Sequence, residues 1–145
     1  MIWGSPLADY LPIELPIDLK ADGSDMAALY WRHRTVVADF FIPQDSFSHL
    51  RIRFGDALIM RVVDEMAIST EERSTKGLVK DHLAYRVEDS HFWETQSETF
   101  RFVHKNADHY RFVSAGMCLD VISHTAPLIV VVPADSGPAN VPGSR

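Results

Sequence analysis

From Leu11 to Leu19 every odd position is Leu or Ile, and the even positions are Pro12, Glu14, Pro16 and Asp18. A period of two is the signature of an extended segment with one apolar face. Two prolines cannot donate to a ladder, so the segment is confined to a sheet edge or to an arm lying across a surface. We read an arm packed on its own domain, with reach to a second subunit, and hence a homodimer, as the alternative.

Further along, Ala27 to Phe41 is rich in aromatic and β-branched residues and predicts one long strand closed by Pro43. Leu50, Ile52 and Phe54 alternate with His49, Arg51 and Arg53, and Gly55-Asp56 signals a turn before a strand over 57–64. Ser69 and Glu72 have capping-box spacing, which predicts a short helix from 69 to near Gly77. Residues 82–87 alternate again, and 89–98 reads as a helical turn carrying Phe92 and Trp93. Strands are then expected over 100–104, 109–114, 117–123 and 128–132.

Seven or eight strands on short links predict a mainly β fold: an antiparallel β-barrel or strongly curved meander sheet with one or two short helices. A β-sandwich, or an α+β sheet with one helical layer, is the alternative. The single globular domain is expected over 1–132, with the extended arm at about 5–25 and a Pro-, Gly- and Ser-rich flexible tail over 133–145.

A two-residue turn at Ala115-Gly116 would pair Val113 with Cys118, Arg111 with Asp120 and His109 with Ile122. A loop at 105–108 would likewise align His104 with His109 and Phe102 with Arg111. One face then carries Tyr110, Phe112, Leu119, Val121 and Val103, an ordinary core. The other gathers His104, His109, Arg111 and Asp120 among Phe100, Phe102, Val113, Cys118 and Ile122. It is too apolar for a solvent face and too charged for a core, so it requires either a cover or a pocket. A cover of Phe92 and Trp93 over an Arg111–Asp120 pair near the rim is one reading; a ligand-lined interior is the other.

The composition adds limits. Of 145 residues, 46% are hydrophobic, enough for a self-sufficient core, and a lone Cys118 needs no oxidising compartment. A formal charge of −6 disfavours nucleic acid as partner. No leader or membrane-spanning apolar run is apparent, so a soluble, cytoplasmic protein is expected. Phosphate loops, serine-hydrolase elbows and metal-binding His or Cys spacings are absent, and no cofactor is expected.

Three functions follow. The first is a small-molecule-binding protein whose ligand is partly apolar, and anionic if arginines line the interior. Arg111 and Arg86 would orient it, with Tyr85, Trp93, Phe100 and Phe102 as walls. The second is a small lyase or isomerase with His104 or His109 as general base and Asp120 orienting it; the same trio is the weaker alternative of a metal site. The third is a non-catalytic interaction protein using the acidic stretch 64–98, which holds nine acidic and four basic residues.

Overall fold

A computed structural model describes residues 7–138. Its strands are β1 (Asp9–Pro12), β2 (Met26–Arg32), β3 (Thr35–Ile42), β4 (Asp45–Phe54), β5 (Ala57–Asp64), β6 (Ala84–Glu88), β7 (Asp108–Val113), β8 (Met117–Ser123) and β9 (Leu128–Pro133). Three short helices interrupt them: α1 (Glu65–Glu71), α2 (His91–Glu94) and α3 (Glu98–Val103). All pairings between these strands are antiparallel, in a five-stranded sheet ordered β1-β6-β7-β8-β5 and a four-stranded sheet ordered β2-β3-β4-β9. The fold is thus mainly β and antiparallel, but the strands form two sheets that do not close into a barrel.

Period-two alternation builds the core between the sheets. Val36, Ala38, Phe40, Leu50, Ile52 and Phe54 from the four-stranded sheet meet Ala84, Tyr110, Phe112, Leu119 and Val121 from the other. Phe54 bridges the layers, its ring 5.3 Å from Tyr110 and 6.0 Å from Phe112. Truncating so enclosed an aromatic to Ala costs about 3–5 kcal/mol.

The N-terminal arm packs on its own domain. β1 is the edge strand beside β6, and beyond it Ile13, Leu15 and Ile17 pack against the core while Glu14, Pro16 and Asp18 face out. Gly77 is needed where the following loop meets this arm: its φ is +83°, and a Cβ there would lie 1.9 Å from the Tyr10 carbonyl oxygen.

Three expected elements differ. The long strand over 27–41 is a hairpin, because His33 takes a left-handed φ of 55° and Trp31 Nε1 donates to its carbonyl at 2.9 Å. The helix expected to start at Ser69 starts at Glu65 instead, capped by Asp64, whose side chain accepts from the Met66 N–H. Most consequentially, 100–104 is no strand. Ser97 caps a helix by accepting from the Phe100 N–H, and Glu98 complements the helix dipole. The supposed pairing of His104 with His109 therefore does not exist; β7 pairs with β6 on that side.

The C-terminal segment after β9 crosses the outer face of the four-stranded sheet. There Arg51, 1% exposed, forms a two-pronged pair with Asp39 at 2.7 and 2.8 Å. Its remaining donors reach the Gly137 carbonyl at 2.7 Å and the Ser136 carbonyl at 3.0 Å. Of the tail expected over 133–145, residues 139–145 lie outside the described residues.

Candidate functional site

β7 and β8 pair in the register that the Ala115-Gly116 turn dictates: Val113 with Cys118, Arg111 with Asp120, His109 with Ile122. Odd positions of β7 and even positions of β8 thereby share the face turned away from the core. α1 and α2 cover that face, and the result is an ionic centre inside the protein rather than at a rim.

Asp120 is its hub. Oδ1 accepts from Arg111 Nε at 2.7 Å and from His109 Nε2 at 2.6 Å, and Oδ2 accepts from Arg61 Nη2 at 2.9 Å. Arg61, on β5 opposite Asp120, also grips Glu71 with two bonds of 2.8 Å, and its guanidinium lies 4.1 Å from the centre of the Phe92 ring. Arg111 Nη1 donates to Tyr10 Oη and to Glu72 Oε2, both at 2.8 Å, and the other Glu72 oxygen accepts from the His91 N–H that begins α2. Two guanidiniums thus meet three carboxylates, and these bonds tie the otherwise unburied helix α1 to the sheet.

The proton positions follow from burial. His109 is 2% exposed, and desolvation lowers its pKa against the opposing pull of Asp120, so its ring is neutral. A carboxylate can only accept, so Nε2 carries the hydrogen and Nδ1 is bare. Ser90 Oγ, 2.6 Å from Nδ1, therefore donates to it while accepting from the Trp93 N–H as the cap of α2. For Asp120, burial alone would raise the carboxyl, but the His109 hydrogen bond and the Arg111 charge hold it well below the usual range. Glu71 is held low by its bonds from Arg61.

Ser90, His109 and Asp120 form the chain of contacts used in nucleophilic catalysis, yet Ser90 and Asp120 are completely buried. None of the three lines the cavities described below. Arg111, expected to orient a ligand, is equally enclosed and its charge is met by Asp120 and Glu72. The other expected residues scatter. His104 bonds His124 instead of His109 or Asp120, so the His104–His109–Asp120 trio is not assembled. Arg86 lies at the surface with Glu88 and Asp108, Trp93 packs on Phe100, and Phe102 is 73% exposed. Among the described residues, no group of three or more His, Cys, Asp or Glu is placed to hold a metal.

A cleft does open beside the centre. Its outer part, about 440 Å³, is bounded by Asp22, Glu65, Lys80, Asp81, His82 and Tyr85. Its inner part, about 120 Å³, lies under α1 against Tyr10, Ile68, Glu72, Leu78, Val113 and Cys118. Glu65, Leu78 and Val113 wall both parts. Of the expected ligand contacts, Tyr85 borders this cleft; its hydroxyl bonds the Val79 N–H and carbonyl, fixing the loop that also lines it. Burial pushes the Cys118 thiol up to about 12, so it is an apolar wall and no nucleophile.

The fold and this centre define a two-sheet, mainly β protein with an ionic core sealed by short helices and a cleft at its margin. Comparison of the chain with protein-family models, with curated proteins and with solved structures finds no match. Among the described residues, no helix is long and apolar enough to cross a membrane.

Proposed function

We propose that the chain binds a small molecule in the cleft between α1, the loop over 75–82 and the β7–β8 hairpin. The observation that carries this reading is that the two cavities share three wall residues, Glu65, Leu78 and Val113, with charged side chains around the outer one and a mostly apolar lining in the inner one. The outer part has the volume of small-ligand sites, which combine apolar lining with a few polar groups.

The chemistry of the walls narrows the ligand. At the mouth three carboxylates, Asp22, Glu65 and Asp81, face one ammonium, Lys80. With Arg111 and Arg86 both committed elsewhere, an anionic ligand loses its support. A neutral or cationic polar end outside, with a compact apolar end against Ile68, Leu78 and Val113, suits the cleft better. α1 buries none of its residues and is tied through Glu71 and Glu72, so it can lift and reseat over a ligand.

The test is a thermal-shift screen of small amines and neutral polar compounds with apolar ends. Hits should protect the native chain and lose that protection in Leu78→Trp, which fills the junction of the two cavities. Equal protection of this variant would remove the cleft as the site.

A further inference from the structure

We infer that His104 and His124 form a binding site for a late divalent transition ion, Cu²⁺ or Ni²⁺, at the surface between α3 and the turn after β8. This rests on features separate from the cleft. His104 Nδ1 and His124 Nε2 stand 2.9 Å apart, with ring centres separated by 5.1 Å. Imidazole nitrogens bond such metals at about 2.0–2.1 Å. Two donors at that length lie about 2.9 Å apart when they subtend a right angle and about 3.3 Å apart at a tetrahedral one. The observed spacing suits adjacent positions of a square-planar or octahedral centre, the preference of Cu²⁺ and Ni²⁺, better than it suits zinc.

Both histidines stand on braced backbone. His104 ends α3, its N–H bonded to the Phe100 carbonyl at 2.9 Å and its own carbonyl accepting from Ala107 at 2.9 Å. The Phe100 ring lies 4.8 Å from the His104 ring and limits its rotation. On the other side, Ser123 Oγ donates its one hydrogen to the Thr125 carbonyl at 2.8 Å, lies 3.1 Å from the Asp56 carbonyl and accepts from the Thr125 N–H at 3.1 Å, which fixes the turn carrying His124. Little ordering remains to be done when an ion arrives. Without the ion, one ring must donate to the other; with it, both present lone pairs, and one exposed hydrogen bond is exchanged for two metal bonds.

The pair supplies two ligands, and solvent occupies the remaining positions. His104 also borders a groove of about 340 Å³ lined by Trp31, His33 and Arg34. An ion on His104 would therefore stand at the rim of that groove with open coordination positions. It would also join α3 to the β8 turn, so the folded state should gain stability from the metal.

The experiment is titration of the purified, tag-free chain with CuCl₂, followed by calorimetry and by electron paramagnetic resonance of the bound ion. The expected result is a one-to-one event whose spectrum reports two equatorial nitrogen donors. It should weaken at least tenfold in His104→Gln and equally in His124→Gln, and persist in His91→Gln. Wild-type affinity in either of the first two variants, or a wild-type spectrum without two nitrogen donors, overturns the assignment. The spectrum of the unmodified chain decides the matter even if a variant folds poorly.

Discussion

His109 Nε2 lies 2.6 Å from Asp120 Oδ1, and the ring stays neutral because burial outweighs the carboxylate beside it. Its folded-state pKa is thus below the unfolded value of about 6.5. Below about 6.5 the unfolded chain takes a proton at this site that the folded chain refuses, so acid costs stability there. Unfolding free energy should fall as pH drops from 7.5 to 5.5, by at most about 1.4 kcal/mol per pH unit for this one proton. Urea titrations across that range should give a flatter profile for His109→Gln; an unchanged slope would assign the effect to other groups.

Asp120 acts in a lower window. Its folded pKa is depressed, so its contribution is complete above the unfolded value of about 3.9 and is lost as pH falls through the folded one. Asp120→Asn leaves Arg111 buried beside a neutral group and should cost about 3–5 kcal/mol at pH 7, measured by denaturant unfolding. Arg86→Ala, which breaks only surface pairs with Glu88 and Asp108, should cost about 0–1 kcal/mol and serves as the comparison.

Ser90 links α2 to the same centre. Ser90→Ala removes the helix cap and leaves the bare His109 Nδ1 without its donor. The combined loss should be about 2–3 kcal/mol, taking about 1 for the cap and a further 1–2 for the buried acceptor. Ring-nitrogen NMR should show His109 still carrying its hydrogen on Nε2 in the native chain. A hydrogen on Nδ1 would reverse the assigned donors.

On the opposite sheet, removing residues 134–145 deprives Arg51 of the Ser136 and Gly137 carbonyls while leaving Asp39. Hydrogen bonds to a charged donor support a loss of about 2–3 kcal/mol, read from urea midpoints. A chain ending at Pro138 keeps both carbonyls and isolates their contribution.

The centre was half legible in the chain. Alternation and a two-residue turn dictated the β7–β8 register, and with it the meeting of His109, Arg111 and Asp120. The need for a cover followed from a second apolar face. The partners from outside the hairpin were not legible. Arg61 reaches Asp120 only because β5 pairs with β8, a non-neighbouring strand, and nothing local marks that pairing. Glu72 reads as the capping-box partner of Ser69, and nothing local marks Glu71 and Glu72 as members of the centre, because their burial depends on where α1 docks. For α3 a signal existed, Ser97 followed by Glu98, but the aromatic run from Phe100 outweighed it. For the same reason His104, expected beside His109, meets His124 instead.

The pairing order of the sheets also bears on how the chain folds. Tyr10 sits beside Val87 and Leu50 beside Val131, so each terminal strand completes a sheet by joining a partner far away in sequence. Such closures spend chain entropy before any contact repays it, which places folding in the slow range for small domains, about milliseconds to seconds. Until β1 and β9 arrive, β6 and β4 present open edges that a neighbouring chain can pair with. Refolding yield should therefore depend on protein concentration, falling as chains meet one another before their own ends return.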